Sequence, residues 1–191
     1  MMGELNFFLD LQIKQTSNGT MIHQQNYVKE LLKGFAMELA KPIDTSIPPL
    51  TRLVVDDESP SVGDKSYRGM IGLLLYLTAS RPDIVYNVCL CARFQSNPNE
   101  THLKDVKQIL RYLKHTFNLA LRYPRGCNFD LIGYRDADYA RFLIDRKSTS
   151  GMAHFLAPCL VSWTTKKQHS VPMSTAEAGY VAATSCCAQL L

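Results

Sequence analysis

The sequence predicts an α/β (α+β) fold in which a short hairpin and a group of helices precede a second, β-rich unit. Apolar residues alternate with polar ones near the N-terminus, three apolar helical segments follow, and short strands with a closing helix come last. The 191 residues are 46% hydrophobic and 20% charged, which is a globular composition. The longest apolar run, Met70–Leu77, is far shorter than the roughly 20 residues of a membrane span, so we expect no membrane segment.

The first part of the chain predicts a β-hairpin and a helix. Every second residue from Leu5 to Ile13 is apolar, which is the period of a strand that buries one face. Asn18-Gly19 predicts a turn into a short strand at 21–23, and a helix fits 26–35. Residues 41–64 contain several prolines and an acidic cluster, so they predict a long surface linker.

Three helices are predicted over 67–78, 83–95 and 101–116. The third has two distinct faces, because a basic residue follows each residue of its apolar stripe. These basic residues are Lys104, Lys107, Arg111 and Lys114. They form either the solvated outer face of a bundle helix or a cationic strip that follows a nucleic-acid backbone.

After residue 119 the pattern changes to short strands, over 119–123, 129–134, 151–156 and 160–164, with a helix over 175–191. A separate unit is predicted to begin near Cys127, and the absence of a capping residue at the end suggests that the chain is cut inside a helix. The six cysteines contain no C-x-x-C pair, so we expect buried free thiols. The N-terminus lacks secretion features, which predicts an intracellular protein of the cytoplasm or nucleus.

Carboxylates near the ends of two predicted elements suggest a metal site in the last unit. Asp136 and Asp138 follow the strand at 129–134, and Glu177 lies at the start of the final helix. Side chains so placed can converge on Mg²⁺, which prefers oxygen ligands. Alternatively, Glu177 closes a capping box on the backbone N–H of Ser174, and the aspartates are ordinary turn residues.

Six blocks of the sequence, taken in order, resemble the Pol polyprotein of copia-type LTR retrotransposons, particularly those of plants. The blocks are YRGMIGLLLYLTASRPDIVYNVCLCARFQ, HLKDVKQILRYLKHT, LIGYRDADYA, DRKSTSG, LVSWTTKKQ and STAEAGY. The N-terminal GELNFFLDLQIKQ is similar to the stretch that follows the polymerase active site in that family. The resemblance therefore covers nearly the whole chain.

This resemblance implies four segments: the end of a reverse transcriptase palm at 1–40, a linker at 41–64, thumb and connection helices at 65–126, and an incomplete ribonuclease H-like mixed sheet with helix at 127–191. It implies an ancestral hydrolysis of the RNA strand of RNA–DNA hybrids. Asp136 and Glu177 would be the catalytic Mg²⁺ ligands, and Asp138 a supporting acid nearby. The polymerase aspartates and the remaining acidic ligands would lie outside this chain, and the expected partners are the hybrid and the rest of the polyprotein.

Four residues depart from the family pattern. Asp10 and Arg141 stand where glycine is usual, Arg135 where serine is usual, and Gly179 where glutamate is usual. A cation beside Asp136 competes with Mg²⁺ for its negative charge. For the isolated chain, these changes favour the alternative function of a catalytically inactive nucleic-acid-binding or structural remnant.

Overall fold

Helices and antiparallel sheets both form, which confirms the α/β class. The computed structural model describes residues 5–47, 59–142 and 144–190. The described chain falls into two units, one made of 5–47 and 59–125 and the other of 126–142 and 144–190. Within these ranges, no helix combines the length and the apolar character needed to cross a membrane.

The sheet of the first unit joins the two ends of that unit. Its strands are β1 (Phe7–Phe8), β2 (Leu11–Thr16), β3 (Gly19–His23) and β4 (Leu121–Pro124), in that spatial order and antiparallel. The predicted strand at 119–123 is therefore the partner of the N-terminal hairpin. Gly19 has a φ of +138°, and a Cβ there would lie 2.2 Å from the Tyr123 carbonyl oxygen, so this contact requires glycine.

The single strand predicted over residues 5–13 is wrong, because the chain reverses inside it. Leu9 and Asp10 have φ values of +47° and +57°, and Phe8 pairs with Leu11 across them. Two consecutive residues of positive φ are typical of a type I′ hairpin turn. The alternation of apolar residues continues through this turn, so periodicity alone does not reveal it.

The helices of the first unit supply its core. They are α1 (Gln25–Gly34), α2 (Asp64–Leu77), α3 (Val85–Ala92) and α4 (Glu100–His115). The helix predicted over 83–95 is shorter than expected, since a 3₁₀ turn at Pro82–Ile84 precedes α3. Most of the fully buried large side chains lie on these helices: Tyr67, Ile71, Leu74, Leu77, Val88, Val106, Ile109, Leu110 and Leu113.

A buried arginine joins the start of the 3₁₀ turn to the end of α4. Arg81 is only 3% exposed and donates two hydrogen bonds to the Asp83 carboxylate, at 2.9 and 2.6 Å. It also donates to the Thr116 carbonyl oxygen at 3.0 Å. Burial by itself raises the pKa of Asp83, but the hydrogen bonds and charge of Arg81, with a hydrogen bond from Tyr112, hold that pKa below its ordinary value.

The second unit is a three-stranded antiparallel sheet with one helix packed on it. Its strands β5 (Leu131–Asp138), β6 (Thr149–Leu156) and β7 (Cys159–Lys167) lie in that order. Helix α5 (Thr175–Cys187) packs on β5 and β6. Two expectations need correction: the strand predicted at 129–134 begins later and extends to Asp138, and the final helix ends at Cys187. Where a mixed sheet is expected, these three strands pair antiparallel.

Candidate functional site

The four basic residues of α4 divide into two pairs. Lys104 and Lys107 are exposed, whereas Arg111 and Lys114 are half-buried. Arg111 Nε donates to the Lys41 carbonyl oxygen at 2.7 Å, and Lys114 Nζ donates to the carbonyl oxygen of Ala40 at 2.9 Å and to that of Glu38. Arg111 and Lys114 therefore attach the segment that follows α1 to α4.

An open groove lies beside the first turns of α4, where the exposed pair is located. Its volume is about 460 Å³, and it is lined by Ser59, Glu100, Thr101, Leu103, Lys104 and Lys107. Hydroxyl groups, lysines and the positive end of a helix dipole are the groups with which proteins contact phosphates. The Glu100 carboxylate is the opposing negative charge in this lining.

Ser59 reaches the groove through a tertiary contact. The Glu100 N–H donates to the Pro60 carbonyl oxygen at 3.1 Å, and Ser61 forms a β-bridge with Asn99. The sequence does not predict Ser59, Glu100 and Thr101 as groove residues. No local pattern marks Ser59, because the position of residues 59–62 depends on this pairing with the start of α4.

The two aspartates lie inside β5 instead of after it. Asp136 pairs with Gly151 and Asp138 with Thr149 in the β5–β6 ladder. Asp136 is exposed, and its Oδ1 accepts the N–H of Ala137 at 2.8 Å. Asp138 forms an ion pair with Arg141, 3.4 Å away.

Glu177 takes part in the start of α5. Its backbone N–H donates to Ser174 Oγ at 3.1 Å, as in the capping alternative, but its carboxylate accepts the N–H of Met173 at 2.6 Å instead of that of Ser174. The first turn is also held to β6 by Gln168, which donates to Ser150 Oγ and to the Ala178 carbonyl oxygen, both at 2.9 Å.

Helix α5 covers the face of β5 that contains Gly133 and Arg135. A Cβ on Gly133 would lie 2.8 Å from Cys186 Sγ, and a Cβ on Gly179 would lie 3.0 Å from Arg135 Nη1. Arg135 and Gly179, two of the residues that depart from the expected pattern, thus lie beside each other, and the guanidinium of Arg135 fills the space that a side chain at residue 179 would enter. Because side chains alternate along a strand, Asp136 points to the opposite face of β5.

The candidate metal ligands of the described residues are not clustered. Among residues 5–47, 59–142 and 144–190, no three His, Cys, Asp or Glu side chains are grouped closely enough to hold a metal ion. Asp136 and Glu177 offer carboxylate oxygens of the kind Mg²⁺ prefers, but Glu177 already accepts a backbone hydrogen bond. This geometry supports no catalytic step through Mg²⁺, and the assignment of Asp136, Asp138 and Glu177 to a metal site stays a prediction.

Comparison with known proteins identifies the family. The chain is 38% identical over 177 residues to the retrovirus-related Pol polyprotein from transposon RE1 of Arabidopsis thaliana, a match that covers 93% of the chain. It is 34% identical over 178 residues to the Pol polyprotein from transposon TNT 1-94 of Nicotiana tabacum. The chain belongs to the Pol polyprotein family of copia-type retrotransposons.

This chain matches only a small part of the length of those Pol polyproteins. It spans 12% of the RE1 polyprotein and 13% of the TNT 1-94 polyprotein. A much shorter relative, an uncharacterized mitochondrial protein of Arabidopsis thaliana, is 31% identical over 190 residues, and the match covers 99% of the chain and 78% of that protein. No family model and no solved structure matches this Pol segment.

Proposed function

We propose that this Pol segment is a non-catalytic nucleic-acid-binding element, which contacts the backbone of an RNA–DNA hybrid weakly and without sequence preference. The exposure of Lys104 and Lys107 beside the groove at the start of α4 carries this proposal. Both ammonium groups are accessible to phosphates, whereas Arg111 and Lys114 hold the carbonyl groups of residues 38–41. The rest of the Pol polyprotein is its proposed partner, in the cytoplasm or nucleus.

The test is a double charge reversal in the groove, K104E with K107E. The control is K65E with K166E, which changes the net charge equally at two exposed lysines outside the groove. Binding of a fluorescent RNA–DNA hybrid is measured by anisotropy over a range of salt concentrations. If both lysines neutralise duplex phosphates, the slope of log K against log[salt] becomes shallower by about 1.8 in the groove variant. An equal loss of affinity in both double variants would refute a localised site.

Hydrolysis of the RNA strand, with Asp136 and Glu177 as Mg²⁺ ligands, is the second candidate. The family motifs around these two residues support it, whereas the location of Asp136 on the face of β5 opposite α5 opposes it. We expect no cleavage of a labelled hybrid by this chain alone. Mg²⁺-dependent cleavage that D136N abolishes, while the neighbouring D130N does not, would establish the second candidate.

A further inference from the structure

Two cysteine thiols of the second unit are in contact. Cys159, the first residue of β7, is only 7% exposed, and Cys127 is half-buried. The two side chains are joined by a hydrogen bond. Both are free thiols in this structure.

A backbone hydrogen bond joins the two segments in which these cysteines lie. Cys159 pairs with Leu156 across the turn between β6 and β7, and the N–H of Ala157 in that turn donates to the Asp130 carbonyl oxygen at 2.8 Å. The segment that contains Cys127 is therefore attached to the turn that precedes Cys159.

The other cysteines of this unit have different surroundings. Cys186 Sγ lies 3.4 Å from His154 Nε2 beneath α5, and Cys187 is exposed. Cys187 is thus the most accessible thiol for external reagents, whereas Cys127 is the thiol already beside a partner cysteine.

We propose that Cys127 and Cys159 are a redox-sensitive pair, which a small disulfide such as glutathione disulfide converts to an intramolecular disulfide bond. The Cys127 thiolate attacks one sulfur of glutathione disulfide, forms a mixed disulfide and releases one glutathione thiolate. The Cys159 thiolate then attacks the Cys127 sulfur and releases the second. The two cysteines lose two electrons and two protons, and one glutathione disulfide becomes two glutathione molecules.

The order of the two attacks follows from exposure. Burial raises the pKa of the Cys159 thiol, and the adjacent Cys127 raises it further, so Cys159 is the poorer first nucleophile. The product would close a loop of roughly 30 residues that contains β5 and β6, which restricts the unfolded chain. Asp136 lies within this loop, but the reaction does not require a metal site.

The experiment treats the full chain with glutathione disulfide, blocks the remaining thiols with iodoacetamide and digests it with trypsin. Cleavage after Arg125, Arg135, Lys147 and Lys166 separates Cys127 and Cys159 onto peptides 126–135 and 148–166, and Cys186 and Cys187 lie together on a third peptide. Mass spectrometry then identifies the linked pair. The same oxidation in urea measures the pairing of the unfolded chain.

We expect the linked 126–135 and 148–166 peptides to exceed every other cross-linked pair at least tenfold in the native chain, and this preference to disappear in urea. C127S and C159S should each abolish the linked species, whereas C187S should preserve it. Oxidation should raise the thermal midpoint of the second unit by about 5 °C or more, reversibly with dithiothreitol. A native pairing pattern no different from that in urea, or a lasting glutathione adduct on Cys127, would overturn the proposal.

Discussion

Asp10 occupies a backbone conformation that favours glycine. Its φ of +57° lies in the left-handed region, in the turn that joins β1 to β2. We expect D10G to stabilise the first unit by about 0.5 kcal/mol, since glycine adopts this conformation without a steric penalty. Thermal unfolding followed by circular dichroism measures the change. The control D10A retains the Cβ and should lower stability, so an alanine variant more stable than the parent chain would contradict this explanation.

Asp105 is a carboxyl in an unfavourable place. It is half-buried on α4, near Tyr67 and Cys91. Burial raises the pKa of both of these groups, and the charge of Asp105 raises them further. Burial raises its own pKa to about 6, although Lys104 partly opposes the shift. The folded state therefore holds this proton more tightly than the unfolded state, and stability falls as the pH rises from about 4 through 6.

The substitution D105N should remove this cost. With the shift discounted for solvent screening of this half-exposed carboxyl, we expect the free energy of unfolding to increase by about 1–2 kcal/mol at pH 7 and to change little at pH 4. Urea unfolding at a series of pH values measures the change, with E30Q, the same kind of substitution at an exposed position of α1, as the control. A gain in stability of the same size at both pH values would rule out a titration effect.

The evenly spaced basic residues of helix α4 have two different structural roles. Its basic residues have a single spacing along the chain, yet Lys104 and Lys107 face the groove while Arg111 and Lys114 bind the carbonyl groups of residues 38–41. The two pairs differ because residues 38–41, which follow α1, lie against the second pair and not against the first. The helix start, by contrast, is a local feature: Asn99 accepts the His102 N–H at 3.1 Å, and His102 Nδ1 accepts the Asn99 N–H.

Replacing the second pair, R111M with K114M, should loosen residues 38–41, because these side chains keep their apolar stems but lose the hydrogen bonds to the backbone. Glu38 precedes Leu39, which is 97% exposed, so cleavage after Glu38 by a glutamate-specific protease reports on the segment. We expect cleavage to accelerate several-fold. The matched variant K104M with K107M should leave it unchanged, and equal rates in the two variants would show that the hydrogen bonds do not hold the segment.

The two units of the whole molecule differ in the size of their cores. The first buries large side chains on four helices. Among the described residues of the second, 126–142 and 144–190, the buried apolar ones are Phe142, Met152, Cys159, Ala178, Ala182 and Cys186. Several large apolar residues of the second unit are exposed, among them Phe129 at 85% and Tyr134 at 59%. Small apolar area buried per residue means low local stability.

We therefore expect amide hydrogen exchange to be slow in α2 and α4 and much faster in β5, β7 and α5. The protection factors of the two groups should differ by at least about 100-fold. Exchange followed by mass spectrometry on proteolytic peptides, at neutral pH and low protein concentration, measures this difference. The reduced chain is used, so that no disulfide contributes. Equal protection in both units would show that burial is a poor guide to stability here.

The order and type of most elements followed from the sequence alone. The hairpin turn at Asn18-Gly19, the helix starts near Pro82 and Asn99, and the two faces of α4 depend on interactions within a few residues, which periodicity and capping rules describe. The motif blocks were equally sufficient to indicate the copia-type Pol family.

Only the tertiary structure decided how these elements meet. The reversal at Leu9 and Asp10, the pairing of β4 with β3, and the contact of Arg135 with Gly179 join or redirect segments in ways that alternation and spacing do not encode. In the sequence, Asp136 and Glu177 lie near the ends of predicted elements. In the structure, the register of β5 determines the face of the sheet on which the Asp136 side chain lies. The relative positions of the candidate site residues therefore depend on long-range packing, whereas the helices and strands themselves depend on interactions between residues close in the sequence.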